Sequence, residues 1–526
     1  MRPSATILPC LLLLAATEAR AAPRVEEASI DQLDAMMTSG AASSSTITSA
    51  YLARIAAMDR KGPTLRTIIA LNPDALTQAK AADARRRAGR ALGPLDGIPI
   101  LIKDNIETAD PMPTTAGSLA LRDNLTRRDA PVVALLRRAG AVILGKTNLS
   151  EWANIRSDDS MSGWSAVGGQ VKNPYALDRS PCGSSSGSGA ATAASFAAAA
   201  LGTETNGSVV CPSAINGLVG LKPTVGLVSR THVVPISHTQ DTPGPMARSV
   251  RDVAILFSAM VASDPADPVT KDADSHRNDY AASLGIASLK GVRVAVLRPK
   301  MRDELAARLD AAVGILKEQG AVVTEVRRPK LEGLSEAEHS ILMTELKADL
   351  AAYLATTPPA VRMRTLADLI AFNEAHIAKE MPFFGQDSFE ESQKTPGLND
   401  PAYLDARAKA IRLAGAEGLE VMLKAAGADI LVQPTQGPAW LIDPIHGDQG
   451  GGPSASGLPA IAGYPHLTVP MGLVKGMPVG LSFIGRPYSE HLLLGAGYVY
   501  EQASHARTPP RYLPQADVGP GLEGSR

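Results

Sequence analysis

The chain has 526 residues and 54.8 kDa, 45% of them apolar and 20% charged, which excludes wholesale disorder and leaves room for one large α/β domain or several smaller ones. Fifty-two Lys and Arg meet 53 Asp and Glu for a net charge of −1, so no basic excess draws the chain onto nucleic acid or anionic lipid. Aromatics are 4%, while 46 Gly and 39 Pro imply many tight turns.

Arg2, the apolar stretch at residues 7–16 and Ala19-Arg20-Ala21 make the pattern of a secretory signal peptide at residues 1–21, with cleavage after Ala21. That stretch is too short to cross a bilayer, and no later run reaches the roughly 18 apolar residues a span needs. The expected protein is therefore exported, periplasmic or secreted, with no membrane span. Cys10 leaves with the signal. Cys182 and Cys211 match no zinc spacing; they are either one bridge or two buried thiols. Nine scattered histidines contain no H-E-x-x-H and no i, i+4 pair, so neither a metal nor another cofactor is expected, and His232 and His238 read as structural.

Residues 30–87 have helical apolar spacing, with Ser43-Ser44-Ser45 suited to a cap. Strands are expected at 98–102 and 141–144, separated by a helix at 131–139 that closes at Gly140. Residues 190–200 read as one helix of small residues. Strands recur at 292–297, 322–326, 430–432, 467–469 and 479–484, and a helix at 304–318 ends before Gly320. Residues 264–279 form a polar connection, and about 331–427 are mainly helical, with a loop at 383–400. The alternation of strands and helices predicts one α/β domain over 22–526, with helices on both sheet faces and a helical insertion at about 331–427.

Two motif matches fail on physical grounds. Gly140-Ala141-Val142-Ile143-Leu144-Gly145-Lys146-Thr147 satisfies the phosphate-loop pattern, but its middle residues are themselves the expected strand. Gly183-Ser184-Ser185-Ser186-Gly187 satisfies the nucleophile-elbow pattern, but polar turn formers precede it in place of a strand.

Three other segments fit together. Gly97-Ile98-Pro99-Ile100-Leu101-Ile102-Lys103-Asp104-Asn105 puts a lysine at the end of an apolar strand. Pro181-Cys182-Gly183-Ser184-Ser185-Ser186-Gly187-Ser188-Gly189 is a serine- and glycine-rich loop. Gly202-Thr203-Glu204-Thr205-Asn206-Gly207-Ser208 is followed by Gly220-Leu221-Lys222-Pro223-Thr224. Each alone has a plain structural explanation, since serine–glycine runs are usually turns and a lysine after a strand usually snorkels to solvent. In this order and spacing they resemble the amidase signature family. The resemblance runs through Asn148-Leu149-Ser150-Glu151-Trp152, Gly244-Pro245-Met246-Ala247-Arg248-Ser249 and Pro478-Val479-Gly480-Leu481, over roughly residues 30–505. Within the family the wording is most similar to peptide amidases, notably at Gly463-Tyr464-Pro465-His466-Leu467-Thr468-Val469-Pro470.

The resemblance implies the amidase signature fold, a single large α/β domain with a mixed central sheet. It implies a Ser-Ser-Lys triad in which Ser208 is the acylating nucleophile, Ser184 the bridging serine behind a cis peptide bond, and Lys103 the base. Backbone N–H groups of Thr205, Asn206, Gly207 and Ser208 are expected to hold the oxyanion, and Ser185 to bond Lys103 or its loop. Such a base works only when neutral, which needs a depression of roughly 3.4 units from about 10.4; burial behind Ile100, Leu101 and Ile102 is a route to it. Strand alternation should turn Asp104 to the opposite face. Many family members carry Asp at the position of Glu204 and Gly at that of Asn206, which puts the local bonding of Glu204 in question. Arg230, Asp241 and Arg248 read as structural ion pairs, and Trp152 and Trp164 as packing residues. The expected activity is hydrolysis of carboxamides, C-terminal amides of peptides above all. The alternatives are small aliphatic or aryl amides, or the role of an A-type component of an amidotransferase that acts on tRNA. The substrate is a peptide or small amide, no nucleic acid is expected, and nothing in the pattern sets the oligomeric state.

Overall fold

The computed structural model of the protein describes residues 22–516, so the expected signal at 1–21 lies outside the described residues. Eleven strands form one sheet: β1 (Ile68–Leu71), β2 (Pro99–Lys103), β3 (Val142–Thr147), β4 (Ala199–Glu204), β5 (Val219–Lys222), β6 (Thr242–Ala247), β7 (Arg293–Leu297), β8 (Val322–Val326), β9 (Ile430–Pro434), β10 (His466–Val474) and β11 (Met477–Gly485). Their spatial order is β1-β3-β2-β4-β6-β5-β10-β11-β9-β7-β8. The pairs β3–β2–β4 and β9–β7–β8 are parallel and the others antiparallel, so the sheet is mixed.

Every residue of β2, β3, β4, β5, β6, β9 and β11 is buried, which requires cover on both faces. The helix Ser186–Ala193 packs on β2, β3, β4 and β6, Val250–Met260 on β5 and β6, and Glu490–Ser504 on β10 and β11. Small side chains make the first of these contacts close: a Cβ at Gly187 would lie 2.3 Å from the Asn148 carbonyl oxygen and 2.5 Å from that of Thr67.

Local propensity misleads at three places. The helix expected over 190–200 stops at Ala193; the chain turns at Ser195, with φ +55°, and Ala199 begins β4. Alanine favours helix in isolation, but here Ala199 and Ala200 pair with β2 on one side and β6 on the other, where small side chains fit between sheet and helices. Within 30–87, helices Ile30–Thr38, Ser44–Met58 and Ala75–Arg87 form, with Ser43 capping the second, but β1 interrupts them to pair with β3. β6 holds Pro243 and Pro245, which argue against a strand. It forms because β5 meets it only at Met246 and Ala247, beyond both prolines.

Helices Leu334–Leu354, Leu366–Ala375, Asp387–Gln393 and Pro401–Ala414 come between β8 and β9. Their apolar residues build a separate cluster in which Leu346, Leu350, Tyr353 and Phe389 pack against Trp152. Among the described residues no helix is long and apolar enough to cross a membrane.

Candidate active site

β2 and β4 are parallel neighbours, so their carboxyl ends open on the same edge of the sheet, the usual place for a ligand crevice in an α/β fold. Lys103 is the last residue of β2 and is fully buried. Its Nζ lies 2.8 Å from Ser184 Oγ, 2.8 Å from Thr203 Oγ1 and 3.3 Å from the Thr203 carbonyl oxygen. Burial pushes the amine down to about 7, against the opposing fields of Asp241 and Glu204. Asp104 faces elsewhere: Thr115 donates to it through its backbone N–H at 3.1 Å and its hydroxyl, and Lys146 stands 3.5 Å away.

Ser184 follows a cis peptide bond from Gly183 and is buried. Ser185 bonds β4 and not the lysine: its hydroxyl donates to the Thr203 carbonyl at 3.1 Å and accepts the Thr203 N–H at 3.2 Å. The Ser185 N–H donates to the Ser208 carbonyl at 3.2 Å, which sets the two serine segments side by side. Thr203 thus touches both Lys103 and Ser185, and Asn105 Nδ2 donates to its hydroxyl at 3.0 Å. The sequence motif does not single out Thr203; its place on β4 opposite the end of β2 is the signal, and it needs the strand pairing to be seen.

Ser208 is 8% exposed, against 1% for Ser184, so it is the more accessible hydroxyl of the two. It sits in a loop between β4 and the helix Val210–Ile215. Glu204 reaches across this loop and accepts the N–H groups of Val209 at 2.8 Å and Val210 at 2.9 Å, so the longer side chain forms its local bonds. Gly207 has φ +88°, a conformation that glycine adopts without strain, and Ser456 stands against it. Among the described residues, the N–H groups of Asn206, Gly207 and Ser208 have no acceptor within the protein. Thr205 donates its hydroxyl to Asp241, which also accepts the N–H groups of Ile236 at 2.8 Å and Ser237 at 3.0 Å; desolvation pushes Asp241 up to about 6. Cys182 and Cys211 form a disulfide, which resolves the two readings open for them and joins the segment before Ser184 to the one after Ser208.

The remaining candidates have structural surroundings. Lys146, from the phosphate-loop match, lies inside β3 and donates to the Ile106 carbonyl at 2.6 Å and Thr114 Oγ1 at 2.9 Å. Arg230 pairs with Asp267 at 2.6 Å. Among the described residues Arg248 forms no ion pair; it donates to the carbonyls of Thr192, Ala197 and Ala28, because β6 delivers it to the open ends of neighbouring elements. Trp152 packs edge-on to Phe389, and Trp164 to Phe383 and Phe384. His238, Glu345 and Asp349 lie close enough to share a cation. Their atoms are already engaged: Glu345 accepts from Ser237, Thr239 and Tyr403, and Asp349 accepts the His238 N–H at 2.8 Å. The cluster clasps the loop before β6 to the helix Leu334–Leu354. A cavity of about 1020 Å³ between the first two helices is lined by none of the site residues.

The family model for amidases matches residues 46–494. A probable amidase of Arabidopsis thaliana is 37% identical over 500 residues, 93% of this chain and 92% of its own. The A component of the glutamyl-tRNA(Gln) amidotransferase of Roseiflexus castenholzii is 34% identical over 513 residues, 91% of this chain and 97% of its own. Among solved structures, the native peptide amidase from Stenotrophomonas maltophilia aligns with a TM-score of 0.89 at 51% identity, covering 93% of this chain and 99% of that one. A peptide amidase in complex with the competitive inhibitor chymostatin aligns with a TM-score of 0.89 at 52% identity, covering 92% of this chain and 99% of that one. With a match of this extent around a buried lysine and two serine loops, the chain belongs to the amidase signature family and is a hydrolase of amide carbon–nitrogen bonds.

Proposed function

We propose that the protein is an exported peptide amidase that releases ammonia from C-terminal amides, with Ser208 as nucleophile, Ser184 as bridge and Lys103 as base. The observation that carries this reading is the buried Lys103 amine 2.8 Å from Ser184 Oγ. A neutral amine has two N–H donors and one lone pair. With its donors engaged by the Thr203 carbonyl and Oγ1, the lone pair is left for the Ser184 hydroxyl proton.

Ser208 Oγ attacks the amide carbonyl while its proton passes to Ser184 and that of Ser184 to Lys103. The N–H groups of the 205–208 loop receive the oxyanion; one such donor is typically worth about 10²–10³ in rate. The same relay returns a proton to the amide nitrogen, the C–N bond breaks and ammonia leaves, since an unprotonated amide anion is a very poor leaving group. Water then attacks the acyl-Ser208 ester by the same path and releases the carboxylic acid.

Identity of 51–52% to peptide amidases over nearly the whole described chain supports the peptide substrate. The signal pattern at 1–21 and the Cys182–Cys211 bridge support export, because disulfides persist in oxidising compartments. Relatedness to the A components of amidotransferases favours a second reading, action on tRNA inside the cell, but at the lower identity of 34%. Ammonia release measured across N-acyl amino-acid amides, aliphatic amides and aryl amides tests the substrate class. Ser208→Ala is expected to stay folded and lose about 10³-fold or more in kcat; near-normal turnover would overturn the assignment. N-terminal sequencing of the mature protein is expected to read from Ala22.

A further inference from the structure

The nucleophile loop does not end on its own backbone. Asn206, two residues before Ser208, donates its side-chain N–H to Glu338 Oε1 at 2.7 Å. Gln240 donates to the same oxygen at 3.1 Å and to the Thr205 carbonyl at 3.3 Å. Glu338 belongs to the helix Leu334–Leu354, so this carboxylate ties the helices between β8 and β9 to the loop that carries Ser208. Among the described residues its second oxygen, Oε2, has no donor within the protein. Glu338 also lines a cavity of about 310 Å³ with Arg328, Leu331, Leu334, Ser335, Gly457 and Ile461. Gly457 adjoins Ser456, the residue that stands against Gly207. Two residues of the cavity wall thus connect to the loop of Ser208: Glu338 through its bond to Asn206, and Gly457 through its chain neighbour Ser456.

The cavity walls are apolar apart from Arg328, Ser335 and the carboxylate, and among the described residues Arg328 makes no hydrogen bond or ion pair with Glu338. A carboxylate can only accept hydrogen bonds. An acyl group that fills the cavity without offering an N–H strips water from Oε2 and leaves it unpaired, whereas one with a correctly placed N–H replaces the lost water. Sites built on a polar partner of this kind reject analogues that lack it far more strongly than apolar pockets reject a missing methylene. In a peptide amide, the carbon next to the scissile carbonyl carries such an N–H; in an aliphatic amide it does not.

We propose that Glu338 is a specificity-determining residue: Oε2 accepts the N–H of the residue that bears the scissile amide, so the site selects peptide amides over hydrocarbon amides. This rests on the peptide-amidase reading and names the side chain that enforces it.

The test compares N-acetylphenylalaninamide with 3-phenylpropanamide, which has the same aromatic chain without the acetamido group. Glu338→Gln keeps an oxygen for Asn206 and Gln240 but puts a donor where Oε2 was. It is expected to lower kcat/KM for N-acetylphenylalaninamide about tenfold or more, chiefly through KM, as for loss of one hydrogen bond to a charged group. The value for 3-phenylpropanamide, or its competitive inhibition constant if it is not turned over, should stay within about twofold. Equal losses on both compounds would mean that Glu338 only positions Asn206, and no loss on either would mean that it meets no substrate; each overturns the inference. Failure of the unaltered protein to cleave N-acetylphenylalaninamide, with 3-phenylpropanamide cleaved, would overturn the peptide-amidase reading and the inference with it.

Discussion

Three lysines, Lys103, Lys146 and Lys222, are fully buried, and burial by itself does not tell them apart. Their partners do. Lys146 is spent on a carbonyl, a threonine and Asp104, and Lys222, pushed down to about 8 by burial, donates to the Pro223 carbonyl at 2.9 Å. Among the described residues only Lys103 of the three meets a serine hydroxyl. Its amine, at about 7, predicts that kcat/KM rises with pH to a plateau above about pH 7. Stability carries the same signature. Below about pH 7 the folded and unfolded chains both hold the proton, and the folded state bears the full cost of a buried ammonium, of order 5 kcal/mol. From there to about pH 10.4 the unfolded chain holds a proton that the folded one lacks, so stability rises with pH. Lys103→Met, which has no such cost, is expected to be inactive, more stable than wild type at pH 7 and to lose that advantage towards pH 10. Paired denaturant titrations at both pH values check this; a difference that does not change with pH would contradict a buried, neutral amine.

The loop that carries Ser208 is held at both ends by side chains of neighbouring elements. Glu204 closes β4 and caps the N–H groups of Val209 and Val210, while the disulfide ties the helix Val210–Ile215 to the Ser184 segment. The bridged cysteines are 29 positions apart, for which the chain-entropy model gives about 3.6 kcal/mol of stabilisation. Replacing both cysteines by Ser should lower unfolding free energy by about that amount and lower kcat as well, because the segments that carry Ser184 and Ser208 would lose their covalent tie. Urea denaturation and steady-state kinetics of the double variant measure the two effects; stability and kcat both at wild-type values would show that the bridge constrains neither. The three serine and lysine positions were legible as a spaced motif. β4 was not, because an alanine run reads as helix until its pairing partners β2 and β6 are known.

Across the whole molecule, a buried cation is one of the ties between the helices that separate β8 from β9 and the rest of the fold. Arg156 pairs with Glu151, donates to the Glu380 carbonyl, and stacks over Phe384 at 4.3 Å. Glu380 in turn accepts the Leu119 N–H at 2.8 Å. Removing one member of a buried charge group leaves the others unpaired, which costs about 3–5 kcal/mol. Arg156→Ala should therefore destabilise the protein by about that much and speed proteolysis between residues 334 and 425 ahead of the rest. Limited digestion followed by mass analysis reads this out; uniform cleavage along the chain would show that the latch does not govern that region. The same helices bring Glu338 to the loop of Ser208, so on the proposed role of Glu338 a loosened latch should also weaken discrimination between substrates.

The amino-acid sequence by itself determined the α/β class, the membership of the amidase signature family and which lysine and serines to examine, because these depend on local patterning and on residue types at set spacings. It left open the state of Cys182 and Cys211, the part played by Thr203 and the reach of Glu338. Each of those is a contact between residues far apart in the chain, and only the closure of β2, β4 and the inserted helices around one crevice sets which polar atoms share a dry space.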